Sequence, residues 1–221
     1  VVVGGGPGGY EAALVASNAH AKPLFEKLVG AENLPPEMMR DLKRFRTFST
    51  AFKLNIACDA VPRFKNFEPE HAGMAYPDFV HLAPDVDYME RAYDDAKYGW
   101  YSQRPFMSPV VPTVHDDTLA PRGKHVVNIF GGHTPYELKN GIWANERQNF
   151  VKAAMAVMDE AAPGFSSSVI DMQVLLPPDL EEIIGLPEGH IFHGEITPDQ
   201  LFFKRPVPHY ADYRSPIAGL Y

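Results

Sequence analysis

The chain has 221 residues, 45% of them hydrophobic and 12% aromatic, which is enough to bury a large core in one domain or a domain and a half. Its 20 basic and 28 acidic residues leave a formal net charge of −8 without a basic stripe, which argues against nucleic acid as a partner. Cys58 is the single cysteine, which excludes an intrachain disulfide and a Cys-based zinc site and favours a reducing compartment such as the cytoplasm. No apolar run reaches the ~18 residues that span a bilayer.

The first part of the chain predicts one strand and three helices. A β-branched strand at residues 1–3 runs into a glycine turn at 4–9 and a short helix at 10–16. A second helix begins at Pro23, where proline suits the first helical position. Its predicted apolar face is Leu24, Phe25 and Leu28. A third helix is predicted over residues 36–45 from helical apolar spacing.

Residues 47–58 alternate with period two and predict an antiparallel strand. One face carries Phe48, Thr50, Phe52, Leu54, Ile56 and Cys58. The other carries Ser49, Lys53 and Asn55, so we expect one side of the sheet to face solvent or a ligand.

The rest of the chain predicts further strands and helices around an irregular stretch at 59–85. The predicted strands are 106–114, 125–130 and 168–176, with a short extended segment at 190–196. The predicted helices are 86–98 with Gly99 as cap, 146–162 with Asn145 as cap, and a short one at 178–184. The expected fold is α/β or α+β, an antiparallel sheet covered by helices.

The glycine turn carries the G-x-G-x-x-G pattern of dinucleotide-binding proteins, in Gly4, Gly6 and Gly9. Bare glycine lets the backbone approach a pyrophosphate, whose charge meets the N–H groups of the following helix. The pattern does not distinguish FAD from NAD(P). Glu26 stands at the distance of a ribose ligand from Gly6, but an ordinary exposed helix residue is the favoured interpretation.

Other residues invite a functional interpretation that their context does not favour. His190, His193 and Glu195 have metal-binding or proton-shuttling side chains, but nearby glycines argue against a helix that would align them, so structural histidines are expected. The 115–117 segment, His-Asp-Asp, fits a solvated turn. Five aromatic residues offer either core packing, which we favour, or the lining of an apolar pocket: Tyr88, Tyr93, Tyr98, Trp100 and Tyr101.

Several segments together resemble the phytoene-dehydrogenase-like branch of the FAD-dependent amine-oxidase superfamily. They are residues 17–30, 33–36 with 52–55, 185–195, 199–206 and 214–221. The resemblance implies FAD as cofactor and a small apolar organic substrate that passes a hydride to it, by oxidation or desaturation. It also implies remnants of a Rossmann-like FAD domain at 1–20, a substrate-binding domain at 21–205 and a return segment at 206–221.

The chain departs from this family in length. Family members carry a substantial FAD-domain section where only eight residues, Tyr10 to Ser17, separate Gly9 from Asn18. We therefore expect a fragment with both ends cut, an incomplete flavin site, and no activity of the chain alone; no catalytic residue is assigned. The alternatives are a non-enzymatic ligand- or partner-binding remnant and an NAD(P)-binding protein. We also expect the strand from Thr47 and the tail up to Arg205 to fold together as the cavity wall beside the flavin.

Overall fold

A computed structural model describes residues 16–48 and 50–221, with the side chains of 71 and 72 left aside. The predicted strand at 1–3 and the turn with Gly4, Gly6 and Gly9 lie outside the described residues, as does nearly all of the helix predicted at 10–16. No helix in the described ranges combines the length and the apolar character that a membrane crossing requires.

Four antiparallel strands form one sheet in the order β2-β3-β1-β4. Their bounds are β1 (Phe52–Cys58), β2 (Met107–Val110), β3 (His125–Gly131) and β4 (Val169–Leu175). The α+β fold class is confirmed. The strand predicted at 106–114 is shorter because Pro112 lacks the N–H that a strand ladder needs, and a 3-10 turn, Pro112–Val114, begins there.

Helices lie between the strands and along the tail. The α-helices are α1 (Ala21–Pro23), α2 (Pro36–Arg44), α3 (Pro69–Ala72), α4 (Val86–Lys97), α5 (Trp143–Ala161) and α6 (Pro177–Asp179). Two π-helical segments, Leu24–Gly30 and Leu180–Ile184, continue α1 and α6. Further 3-10 turns are Ala31–Asn33, Asp117–Leu119, Phe165–Ser168, Pro187–Gly189, Pro198–Gln200 and Phe202–Lys204.

The main core lies between α5 and one face of the sheet. Phe52 of β1 meets Phe150 of α5 edge-to-face at 4.8 Å, and both are fully buried. The same layer holds Leu54, Ile56, Cys58, Val127, Ile129, Ala154 and Met158. The predicted alternation is confirmed from Phe52 to Cys58, but Phe48 is 56% exposed because the strand has not yet begun there.

A second core joins the beginning and the end of the described chain. It contains Phe25, Leu34, Met38, Leu42 and Val207. Leu28, which we placed on the apolar face of its helix, is exposed because the π-helical winding of residues 24–30 changes which side chains face α2. Ser17 donates a backbone hydrogen bond to Tyr221 at 2.8 Å, so the two ends of the described chain meet.

Two further predicted elements differ from the structure. α5 begins at Trp143 rather than after Asn145, because the indole of Trp143 is buried and its Nε1–H donates to the carbonyls of Pro135 and Tyr136 at 3.1 Å each. The segment 190–196 is a turn rather than an extended strand. His193 in it has a left-handed φ of 56°, which no strand accommodates.

Candidate functional site

Among the described residues, α5 packs on one face of the sheet, and most of the exposed strand side chains lie on the other, which we call the open face. Three rows of side chains cross this open face, given in strand order from β2 to β4 by the strand register. The first row is Ser108, Phe130, Lys53 and Leu175. The second row is Val110, Asn128, Asn55 and Gln173. The third row, on β3, β1 and β4 only, is Val126, Ala57 and Asp171. Since successive residues of a strand point to opposite faces, these are the side chains that the α5 core leaves out.

The centre of the open face combines apolar and polar groups. Lys53 is exposed and Phe130 is 40% exposed, whereas Leu175 at the outer edge is buried. In the second row, the Asn55 amide donates to Gln173 Oε1 at 2.8 Å. The wet or ligand-facing side that we predicted for β1 therefore exists, and it carries Lys53 and Asn55 as predicted.

One side of the open face is bounded by the segment that precedes α4. Leu82 forms a single antiparallel bridge with Met107 and extends the sheet beyond β2. Next to it, His81 Nδ1 lies 3.0 Å from Ser108 Oγ, and the His81 ring stacks on Phe106 at 5.9 Å. These contacts bury Ser108, so its hydroxyl is closed off from solvent.

Arg46 ties the chain just before β1 to the tail. Its guanidinium contacts both carboxylate oxygens of Asp199 at 2.9 and 3.0 Å and Glu195 at 2.8 Å. This pairing raises the pKa of Arg46 and holds that of Asp199 well below its ordinary range, chiefly through the hydrogen bonds between the two groups. The backbone of Arg46 also exchanges two hydrogen bonds with the buried Gln200 side chain, at 2.7 and 2.9 Å.

The two stretches that we expected to fold together are thus in contact. Besides the Arg46 network, Thr47 Oγ1 donates to Glu188 at 2.5 Å. A hollow of about 350 Å³ lies next to this contact, between the end of α2 and the tail, and none of its lining residues belongs to the strand at 47–58. It is lined by Phe45, Arg46, Asp199, Gln200 and Val207, among others.

Three histidines cluster beside this contact. His20, which is 3% exposed, stacks on His193 with ring centroids 5.5 Å apart. Its Nδ1 accepts a hydrogen bond from the Lys22 N–H at 3.1 Å, so the neutral ring carries its proton on Nε2, which has no partner among the described residues. Burial, followed by the charges of His193 and Lys22, lowers the pKa of His20 to about 4.

His190 repeats the local pattern, since its Nδ1 accepts from the Phe192 N–H at 3.2 Å. Burial lowers its pKa as well. Glu195, the third residue of the predicted polar group, faces Arg46 instead of the histidines. Over residues 16–48 and 50–221 no set of three or more histidine, cysteine or acidic side chains is arranged to hold a metal ion.

The remaining predicted residues separate into core and surface. Tyr101 is buried against Trp143 and Phe150, whereas Tyr93 and Tyr98 are exposed. Tyr88, Trp100 and Tyr101 do line a hollow of about 660 Å³, but carboxylates and arginines make up most of its rim, so it is not the apolar pocket considered above.

Two surface predictions and the cysteine can also be located. His115 pairs with Asp78 at 2.8 Å on the surface, which agrees with a solvated turn. Glu26 lies on the π-helical segment after α1, which agrees with the helix interpretation, but it is half-buried rather than exposed. Cys58 is buried on the core face of β1, and burial raises the pKa of its thiol.

Sequence reasoning missed Arg46 and His20. The partners of Arg46 lie about 150 positions away, with sequence separations of 149 to 154, so no local pattern could reveal them. For His20 a signal existed: it stands directly before the first helical residues, where a side chain that accepts a backbone N–H is favoured.

Comparison with known proteins finds relatives that are much longer than this chain. No protein-family model matches it. The rat and mouse proteins named pyridine nucleotide-disulfide oxidoreductase domain-containing protein 2 are each 38% identical over 214 residues, which cover 94% of this chain and 37% of the relative. A crystal structure of an oxidoreductase from Methanosarcina mazei aligns with 95% of this chain and 37% of its own, with a TM-score of 0.49 and 17% identity. The chain thus spans 37% of the length of these curated relatives, whose name includes an oxidoreductase domain.

Proposed function

We propose that this chain is the substrate-side part of a flavin-dependent oxidoreductase and that the open face of its sheet forms one wall of the substrate cavity. The observation that carries the proposal is the architecture: among the described residues α5 packs on one face of the antiparallel sheet, and Lys53 and Ala57 of β1 are exposed on the other. The 38% identity to an oxidoreductase-named protein supports this assignment.

In this proposal FAD, when bound, accepts a hydride from a small organic substrate, and this domain positions the substrate and excludes water. Gly4, Gly6 and Gly9 would hold the pyrophosphate. Among the described residues the buried Nε2–H of His20 fits such a cofactor, because a donor without an acceptor suits a phosphate or flavin carbonyl oxygen.

Absorbance of the purified chain between about 350 and 500 nm tests the proposal, because oxidised flavin absorbs there. Stoichiometric flavin after loading with FAD supports it. A folded, colourless protein that takes up no FAD supports the non-enzymatic remnant, and uptake of nicotinamide nucleotide without flavin supports an NAD(P)-binding protein.

A substitution locates the binding. We expect Gly6→Val to abolish dinucleotide binding without unfolding the rest of the chain, because a branched side chain blocks the approach of the pyrophosphate. Gly132→Ala is the matched control, since a Cβ there makes only an ordinary contact with Phe106 at 3.6 Å. Unchanged binding by Gly6→Val in calorimetry would rule out the glycine turn as the site.

A further inference from the structure

We propose that His20, His190 and His193 form a proton-sensitive latch between the residues before α1 and the tail, which stays closed only while the His20 and His190 rings are neutral. Protonation of these two rings releases the turn at 188–194 from His20, while the sheet and α5 stay folded. The latch is a property of this chain's own fold and does not depend on a bound flavin.

The His20 and His190 rings each accept one backbone hydrogen bond. His20 Nδ1 accepts from the Lys22 N–H at 3.1 Å, at the start of α1, and His190 Nδ1 accepts from the Phe192 N–H at 3.2 Å. A neutral ring can accept at Nδ1, whereas a protonated ring carries a hydrogen on both nitrogens. Because a backbone N–H can only donate, protonation would place two donors face to face and end both hydrogen bonds.

Two histidines beside the sheet do not share this sensitivity. His81 Nδ1 lies 3.0 Å from Ser108 Oγ, and His125 Nδ1 lies 3.2 Å from Thr113 Oγ1. A hydroxyl group can donate or accept, so it can turn to suit either protonation state of the ring. Acid therefore breaks the hydrogen bonds of the latch and leaves the contacts of these two rings in place.

His20 is poorly placed to carry a charge. It is 3% exposed, and its Nε2–H already lacks an acceptor among the described residues. The titratable groups that act on it are all cationic or become cationic on protonation: Lys22, His190, His193 and Arg205. A proton on His20 is therefore a buried charge without a compensating acid, which favours opening of the contact.

His190 should respond at a higher pH than His20. Burial, followed by the charge of Arg205, lowers the pKa of His190, and His193 adds to this effect. Glu195 and Glu188 act in the opposite direction. Since no acid offsets the burial of His20, the Phe192 hydrogen bond should be lost first and the Lys22 hydrogen bond second.

The turn that would open is held in place by its contacts. His193 stacks on His20 with ring centroids 5.5 Å apart, and its φ of 56° is one that residues other than glycine rarely adopt. Such a backbone persists only where its surroundings hold it. The Arg46–Asp199 pair stays ionised through the same pH range, because the pKa of Asp199 lies well below its ordinary value. The opening should therefore be confined to the turn and leave the tail attached at Asp199.

The test follows backbone amide signals of the full ¹⁵N-labelled chain by NMR while the pH falls from neutral to just below 4. The Phe192 and Lys22 signals should leave their folded positions as the pH falls below 6.5, with Lys22 half shifted near pH 4. The amides of Leu54 and Ile129, which belong to the main core, should keep their folded positions over this range.

Three variants assign the response to the two rings. His20→Gln has a side-chain oxygen that can accept the Lys22 N–H and does not titrate, so the Lys22 signal should lose its pH response. His190→Gln should do the same for the Phe192 signal. His115→Gln is the matched control, since this histidine forms an ion pair on the surface, and it should respond as the parent chain does.

Each contrary outcome overturns the latch. If all four amides leave their folded positions together, acid unfolds the whole chain and no separate element opens. If the His20 ring titrates while the Lys22 and Phe192 amides stay in place, protonation does not release the contact. Both comparisons use the parent chain, so they remain decisive if a variant does not fold. A pH response that survives in the double variant of His20 and His190 would assign it to other groups.

Discussion

Two adjacent residues of β3 test whether the sheet has one covered and one open face. Ile129 points into the α5 core and is fully buried, while Phe130 points to the open face and is 40% exposed. We expect Ile129→Ala to destabilise the chain more than Phe130→Ala, although phenylalanine is the larger side chain. A larger loss of stability at the smaller side chain would show that the face carrying Phe130 is not covered.

The magnitudes follow from the surroundings of each side chain. Ile129 is paired across strands with Leu54 and Pro109, so its truncation leaves a cavity that packed neighbours cannot fill, at a cost of about 3 kcal/mol. Phe130 neighbours Lys53 and Ser108, and water fills the space that its ring leaves. Since complete burial of a phenylalanine contributes roughly 1.5 to 3 kcal/mol, its partial loss should cost about 1 kcal/mol.

Urea unfolding, followed by the fluorescence of Trp100 and Trp143 and by circular dichroism, measures both variants. With a slope of about 2 kcal/mol/M, the midpoint should fall by about 1.5 M for Ile129→Ala and about 0.5 M for Phe130→Ala, at unchanged slope. An equal or larger fall for Phe130→Ala would refute the reasoning, because it would mean that the second face is packed as densely as the first.

Two predictions concern pH dependence: one for the ion pair of Arg46 with Asp199, the other for the buried His20. The pKa of Asp199 is depressed by Arg46, so the stability from this pair is complete above the unfolded value of ~3.9 and is lost as pH falls through the lower folded value. Arg46→Met should remove that acid dependence of stability, and Arg46→Lys should keep part of it. Urea titrations at neutral and acidic pH measure both variants. An unchanged acid dependence in Arg46→Met would contradict the prediction. Burial lowers the pKa of His20 from 6.5 to about 4, so the unfolded chain binds more protons than the folded chain between these pH values. The stability of the fold should therefore fall as the pH decreases from 6.5 to 4. His20→Gln should make this fall smaller. An NMR titration should place the His20 midpoint near 4, and a midpoint near 6.5 would show that the ring is not buried among its charged neighbours, which are Lys22, His190, His193 and Arg205.

The sequence by itself determined most of the local structure. The period-two pattern from Phe52 to Cys58 predicted β1, its buried face and the exposure of Lys53, because side chains of a strand alternate regardless of what covers them. Helical spacing likewise predicted α2 and α4 to within a residue or two. These features depend on neighbours within a few positions.

Local patterns were less reliable where distant packing decided the element. The helical register after α1 left Leu28 exposed, and residues 190–196, predicted as a short extended segment, form a turn. In both segments, contacts with the other end of the chain select the conformation. Propensity within the segment could not show this.

Only the tertiary structure decided what the site contains. The strand register places Phe130 and Leu175, which belong to strands far along the chain, on either side of Lys53. Arg46 found its partners in the tail, and Ser17 met Tyr221, across nearly the whole chain. A sequence encodes such pairs only through the free energy of the complete fold, so residue patterns predicted β1 but not its partners on the neighbouring strands.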